Sequence, residues 1–78
     1  MEPIEVTARF NLTGRIDPIA FTWKDRLYQV ESTGRRWDAP DGQHILVMAS
    51  GEHVYELLFS PSDRRWFLSE VGPHRIAA

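Results

Sequence analysis

Cysteine is absent from this chain of 78 residues, and other features that would mark a protein class are scarce as well. Without cysteine the chain can form neither a disulfide nor a thiolate metal site, which fits a reducing cytosol. The nine basic residues are eight Arg and one Lys, and they face eleven acids. The resulting net charge of −2 lacks the basic excess that is typical of nucleic-acid-binding domains, and it gives no overall attraction to an anionic membrane.

Long apolar segments are missing too. The longest apolar run, residues 45–49, has the length of a strand, whereas a membrane-spanning helix needs ~20 apolar residues. The opening sequence MEPIEV lacks the basic region and apolar run of a signal peptide. We therefore expect a cytoplasmic protein without a membrane partner.

Apolar and polar residues alternate along most of the chain, which predicts β-strands, and no stretch shows a helical period. Glycine and proline recur about every eight to twelve residues, the spacing of an all-β meander. We predict a single small β domain over residues 1–78, with residues 1–3 and 72–78 frayed. A flat sheet this small would leave two open edges, so five or six antiparallel strands should curl into a small barrel or a strongly bent sheet. The strands are expected at residues 5–12, 19–23, 26–32, 43–49, 53–59 and 65–71.

Residues 19–30 predict a β-hairpin whose register can be derived from the sequence. With Lys24 and Asp25 as its loop, Trp23 opposes Arg26 and Phe21 opposes Tyr28. Opposed residues share a face of the sheet, and a slip by one residue would scatter the aromatic side chains over both faces. Further turns are expected at Thr33-Gly34 and at Ser50-Gly51. The predicted core consists of Val6, Phe10, Ile19, Phe21, Tyr28, Val30, Leu46, Leu57 and Leu68, with Trp23 and Trp66 close by.

Catalytic, metal and cofactor motifs are not found in the sequence. With Ser50-Gly51 as a two-residue loop, His44 opposes Leu57 and His53 opposes Met48, so the two histidines do not pair and are expected at the surface. A zinc site needs three or four ligands, so no metal or cofactor is predicted. Glutamates such as Glu31 and Glu56 alternate with apolar neighbours and should be solvated. No serine lies in a nucleophile-elbow pattern, and we expect a protein that is not an enzyme.

Arginine beside tryptophan is the one constellation with a functional interpretation. The order Arg-Arg-Trp occurs twice, and the predicted hairpin adds a third Arg/Trp pairing. Arginine binds phosphate through a forked geometry, and an aromatic face can stack a base. In the alternative interpretation the arginines only cover core tryptophans from water, through cation–π contacts. The candidate residues for binding nucleic acid or another partner are Arg35, Arg36, Trp37, Arg64, Arg65, Trp66, Trp23 and Arg26.

A skeleton of aromatic and aliphatic residues resembles a family of small bacterial all-β domains. The residues that carry the resemblance, between residues 18 and 71, are Pro18, Phe21, Trp23, Tyr28, Val30, Trp37, Tyr55, Glu56, Leu57, Arg65, Trp66 and Leu68. Members of that family occur alone or associated with accessory proteins of Y-family DNA polymerases. The resemblance implies a DNA-repair or translesion context, without an assigned activity or catalytic residues. The chain departs from the family's pattern at Lys24-Asp25, where glycine is usual, and in its ending Glu70-Val71-Gly72-Pro73.

Two hypotheses about function follow from these patterns. In the first, the protein is a non-enzymatic binding module that docks single-stranded nucleic acid or a polymerase accessory protein through its Arg/Trp surface. In the second, an exposed edge strand, for instance the N-terminal one, pairs with another protein or makes a weak homodimer. A small enzyme would instead need a cleft beside Glu31, Glu56 or His53.

Overall fold

Six antiparallel strands in meander order close into a small barrel, because the last strand pairs with the first. The computed structural model describes residues 1–73, and no helix occurs among them. Residues 1–73 contain no helix that is long and apolar enough to cross a membrane. The all-β barrel predicted from the sequence is confirmed. The strands are β1 (Glu2–Phe10), β2 (Ile16–Trp23), β3 (Arg26–Ala39), β4 (Gly42–Ala49), β5 (His53–Ser60) and β6 (Arg65–Pro73).

The β2–β3 hairpin has the register that the sequence predicts. Phe21 pairs with Tyr28 and Trp23 with Arg26, and the Phe21 and Tyr28 rings stack with centroids 5.1 Å apart. Lys24 and Asp25 form the turn with positive φ values of 52° and 62°. Such a turn matches the twist of the flanking strands even though glycine is absent from it.

The β4–β5 hairpin differs from the prediction by one residue. Ala49 pairs with His53 and His44 with Leu58, because the loop holds three residues, Ser50 to Glu52, rather than two. Since side chains alternate along a strand, a shift of one residue turns the β4 side chains that were predicted to face the core outward, and their neighbours inward. Ile45 thus lies inside, and the prediction that Leu46 belongs to the core is wrong.

The buried core cluster comes from four strands, β2, β4, β5 and β6, and partly buried residues of β1, β3 and β6 complete it. Partly buried side chains pack against the cluster: Ile4, Val6, Tyr28, Val30 and Trp66. The predicted place of the last four in or beside the core is confirmed, whereas Ile4 was not predicted. The buried members of the cluster are Phe21, Trp23, Ile45, Val47, Ala49, Tyr55, Leu57 and Leu68.

Two other predicted core residues are exposed. Phe10 is 60% exposed at the end of β1, where its ring meets Phe59 edge-on. Ile19 is 45% exposed because the β1–β2 ladder passes from Ala20 directly to Pro18 and leaves Ile19 in a bulge. A bulge turns its extra residue out of the regular alternation.

Strand β3 is longer than predicted and bends sharply. The predicted turn at Thr33-Gly34 is wrong, since both residues lie inside β3. Between Val30 and Arg36 the pairing with β4 shifts twice, and each shift places one extra residue on β3. Residues 31–35 are all exposed, as expected where bulges bend a strand away from the barrel.

The ends of the chain also differ from the expected fraying. Glu2 and Pro3 pair with Leu68 and Phe67 of β6, so they close the barrel rather than form a loose end. Strand β6 continues to Pro73, which pairs with His53. Residues 74–78, also expected to fray, lie outside the described residues.

Gly42 offers a test of this packing. It has a φ of 141°, and a Cβ added there would collide with the main-chain oxygen of Phe59, whereas Gly51 has a φ of 80° but faces open space. We expect Gly51→Ala to lower the free energy of unfolding by about 1 kcal/mol, because of its backbone conformation alone. Gly42→Ala should cost at least about twice as much, since its collision adds to that strain. Urea denaturation of both variants measures the difference, and equal losses would contradict the structure.

Candidate functional site

A cleft of about 700 Å³ crosses β1, from the β2–β3 turn on one side to the start of β6 on the other. It lies where β1 extends past its neighbour: β6 begins at Arg65, so their ladder stops at the pair Ile4–Trp66, while β1 continues to Phe10. The cleft is lined by Pro3, Ile4, Glu5, Val6, Thr22, Lys24, Asp25, Arg64, Arg65 and Trp66.

The cations of this cleft are held by two tight turns. Lys24 occupies the β2–β3 turn, with its Nζ atom 4.6 Å from the centroid of the Trp23 ring. Arg64 has a φ of 56°, and its N–H donates to the main-chain oxygen of Ser60 at 2.8 Å. Arg65 begins β6 opposite Ser60. Two cations thus stand on one side of β1 and one on the other.

Trp66 is the only aromatic residue of the cleft lining. The ring is half-buried and tilts against Phe59 with centroids 5.1 Å apart. Because Trp66 packs against the core and also lines the cleft, it can present a rigid apolar surface to a ligand.

Two carboxylates, Glu5 and Asp25, share the cleft with the three cations. Over residues 1–73, neither carboxylate forms an ion pair, and neither do Lys24, Arg64 or Arg65. Charges without partners in the folded protein are available to a ligand, and here the cations exceed the anions by one.

The two Arg-Arg-Trp motifs lie in different parts of the barrel. Strands β4 and β5 separate β3, which carries the first motif, from β6, which carries the second. Trp66 packs against the core cluster, whereas Trp37 pairs with His44 and stacks on its imidazole with centroids 5.0 Å apart. The motifs therefore do not form one site, and only the second lines the cleft.

Each residue of the first motif has a partner within the protein. The Arg35 guanidinium lies 5.2 Å from the centroid of the Trp37 ring. Arg36 donates through Nη1 to the main-chain oxygen of Ile16 at 2.6 Å and through Nη2 to Asp17 at 2.8 Å. These bonds connect β3 to β2 beyond the point where their ladder ends at Ala20 and Gln29.

The third Arg/Trp pairing lies on the hairpin as predicted, with its tryptophan in the core. Trp23 is only 8% exposed, and its ring packs edge-on against Tyr55 with centroids 5.6 Å apart. The Arg26 guanidinium lies 5.8 Å from the centroid of the Tyr28 ring. Arg26 is exposed but does not line the cleft.

A cluster of two carboxylates around the buried His44 was not predicted from the sequence. Its Nδ1 atom lies 2.6 Å from a carboxylate oxygen of Glu56, and its Nε2 atom lies 2.8 Å from one of Asp41. The expectation of a surface histidine is wrong for His44, which is 8% exposed. The spacing of Asp41 and His44 could have indicated that these two side chains meet. Glu56 could not be foreseen as a partner, because the predicted β4–β5 register was wrong by one residue.

The His44 cluster is suited to a structural role. Because both ring nitrogens face carboxylates, the imidazolium form satisfies both contacts, whereas a neutral ring has only one N–H to donate. Among residues 1–73, no group of three or more acidic or histidine side chains is arranged to hold a metal ion. With its nitrogens engaged and one face against Trp37, His44 is poorly placed to act on a substrate.

Electrostatics favour the charged form of His44. Burial lowers the pKa of His44, but its hydrogen bonds with Asp41 and Glu56 outweigh burial and raise it above the ordinary 6.5. The hydrogen bond with His44 lowers the pKa of Asp41 below 3.8, although desolvation opposes the shift. Asp17 behaves similarly: desolvation raises its pKa, but Arg15 and Arg36 lower it overall.

The His44 cluster predicts how stability depends on pH. A raised pKa in the folded state gives stability that is complete below the unfolded value of 6.5 and is lost as pH rises through the folded value. The free energy of unfolding should therefore decrease as the pH rises above 6.5, and His44→Gln should remove most of that dependence. Urea titrations across this range measure it, with His53→Gln as control. An unchanged profile in His44→Gln would contradict the prediction.

Arg36 and Arg35 form a matched pair for a second test. Arg36→Gln removes a charge-assisted hydrogen bond to the Ile16 carbonyl, which should cost about 1.5 kcal/mol or more. The ion pair with Asp17 should add little, because it is partly exposed and screened by solvent. Arg35→Gln loses only a surface cation–π contact and should cost about 0.5 kcal/mol. Thermal or urea unfolding measures both, and equal losses would show that Arg36 does not hold β2 and β3 together.

Comparisons with known proteins give no match. No family model, curated protein or solved structure matches this chain. The resemblance to small bacterial domains near Y-family polymerase accessory proteins therefore stays a prediction. The function has to be inferred from the cleft and its residues.

Proposed function

We propose that this protein is a non-enzymatic binding module that takes single-stranded nucleic acid into the cleft across β1. The observation that supports this function is that three cations without ion-pair partners among residues 1–73, Lys24, Arg64 and Arg65, line the same cleft as the half-buried Trp66. Cations beside an aromatic surface are the usual means of holding a strand without reading its sequence.

Each part of the cleft has a role in this proposal. Arg64 and Arg65 contact phosphates through their forked guanidinium groups, and Lys24 contacts the backbone from the opposite side of β1. An unstacked base packs against Trp66, a contact worth about 1–3 kcal/mol per base. Bases in a duplex are stacked on each other, so this contact requires a single strand.

The net charge of −2 limits how strongly the module can bind. Attraction must come from the local cations, whose field is screened within about 10 Å at 0.1 M salt. We therefore expect a dissociation constant of about 10⁻⁵ M at low salt, within the range of non-specific complexes. Three phosphate contacts predict a slope of about −2 for the logarithm of affinity against the logarithm of salt concentration.

The biological setting is the less direct part of the proposal. A DNA-repair or translesion context, implied by the resemblance of residues 18–71, would supply single-stranded DNA as ligand. A polymerase accessory protein could then bind a different face of the barrel, and the exposed Arg35 beside Trp37 is one such face. Residues of this face do not line the cleft.

Charge-matched double variants test the cleft. Arg64→Gln with Arg65→Gln should weaken binding of a labelled single-stranded oligonucleotide about tenfold at low salt, and it should reduce the salt slope by about 1.4 because two phosphate contacts are lost. Arg9→Gln with Arg35→Gln removes the same charge outside the cleft. Compared at 0.1 M salt, where the screening length is about 10 Å, it should change affinity less than about twofold. Fluorescence anisotropy measures all three proteins. Absence of binding by the wild type, or equal losses in both double variants, would overturn the proposal.

A further inference from the structure

A second cavity, of about 460 Å³, lies at the mouth of the barrel between the β3–β4 and β5–β6 turns. It is lined by both of these turns and by the strand residues Ile16, Asp38, Gln43 and Phe59. None of its lining residues lines the cleft across β1. The mouths of β-barrels are common places for small-molecule sites, so this cavity is a candidate for a second binding site.

Strand pairing shows that the polar side chains of this cavity lie on the inner face of the barrel. Asp38 pairs with Gln43, and Gln43 pairs with Phe59. Directly opposed residues share a face of the sheet. Ile45 follows Gln43 by two residues in β4 and is fully buried in the core, and side chains two residues apart lie on the same face of a strand. Asp38, Gln43 and Phe59 therefore form one inward-facing row at the mouth.

The two polar side chains of this row offer hydrogen-bond acceptors to a ligand. Gln43 donates through Nε2 to an Asp38 carboxylate oxygen at 3.3 Å, and over residues 1–73 Asp38 has no ion pair. The Gln43 Oε1 atom is buried without a donor, which costs free energy in the folded protein. The last torsion of a glutamine side chain is broad, so a small rotation turns this oxygen toward a ligand in the cavity.

Among the residues that line the cavity, no lysine or arginine competes for these acceptors. Arg36 precedes Asp38 by two residues in β3, but its guanidinium is engaged by β2. The second acid of the lining, Asp41, already faces His44. The unpaired charge of the lining is therefore the single negative charge of Asp38, which calls for a cationic ligand.

The walls of the cavity decide which cation fits it. Ile16, Pro40, Phe59 and Pro61 supply apolar surface. A guanidinium group is more weakly hydrated than an ammonium group, donates several hydrogen bonds in one plane, and packs well against aromatic rings. It can therefore bond both acceptors together while its carbon stem packs on these walls.

We propose that the barrel mouth is a binding site for a guanidinium group on an aliphatic stem, held by Asp38 and Gln43. Such a group occurs in small guanidino compounds and in the arginine side chain of a peptide, and its chemistry in the cavity is the same for both. This site goes beyond the proposed function and does not depend on it, because the two sites share no lining residue.

Titration with butylguanidinium, followed by heteronuclear NMR in 0.1 M salt, tests the site. The chain has one Asn and two Gln, so the side-chain amide signal of Gln43 can be followed beside those of Asn11 and Gln29. The Gln43 signal should shift with a dissociation constant of about 10⁻³ M, as expected of a small fragment, while the other two stay in place. Butylurea, a neutral analogue of the same shape, should bind at least about tenfold more weakly, since the charge-assisted bond to Asp38 is lost.

A matched pair of variants tests the role of the carboxylate. Asp38→Asn keeps the shape of the side chain and should weaken binding of butylguanidinium about tenfold. Asp25→Asn removes the same charge at the β2–β3 turn, outside the cavity, and should change the affinity less than about twofold because the salt screens it. Equal losses in the two variants would show that only the overall charge matters, which overturns the proposal. Butylurea or butylammonium binding as tightly as butylguanidinium, or a Gln43 signal that does not shift, would overturn it as well.

A blocked peptide, acetyl-Gly-Arg-Gly-amide, identifies the source of the group. Affinity equal to that of butylguanidinium supports a site for an arginine side chain. Binding at least about tenfold weaker, as expected if the peptide backbone does not fit the mouth, supports a site for a free guanidino compound. Arg64→Gln with Arg65→Gln should bind butylguanidinium like the wild type, so failure of this site and failure of the cleft are distinguishable.

Discussion

Closing six strands into a barrel is the constraint on which the rest of this structure depends. Strands in a barrel must tilt and stagger, so two ladders are short: β2 pairs with β3 only near their shared turn, and β1 pairs with β6 only over Glu2, Pro3 and Ile4. Each short ladder leaves a place where part of a strand has no partner on one side. At one, Arg36 connects the strands; at the other lies the cationic cleft.

The separation of β2 and β3 exposes a strand edge, yet the edge is irregular. Ile19 is bulged on β2, Pro18 lacks an N–H group, and β3 carries two bulges. Bulges and proline are common means of preventing strands from pairing between molecules. Pairing with another chain through an edge strand stays a prediction, and the barrel does not favour it: β1, named as a possible edge, pairs with strands on both sides.

The parts of this fold that can be predicted from the sequence are those where local chemistry determines the turn. The β2–β3 register was predictable because three aromatic side chains had to share one face. At Ser50 the loop could hold two residues or three with similar chemistry, and the wrong choice moved Leu46 into the predicted core and separated His44 from Glu56. The bulge at Ile19 depends on barrel curvature, which no local pattern encodes. The cleft itself arises from strands distant in sequence, so only its second Arg-Arg-Trp motif could be foreseen.

The meander order of the barrel has a consequence for how the chain folds. All ladders but one join strands that follow each other along the chain, and contacts between such neighbours form quickly because little loop entropy is lost. The exception brings β1 and β6 together from opposite halves of the sequence. We expect that ladder to form last, so the cleft beside it would be the latest surface to appear during folding.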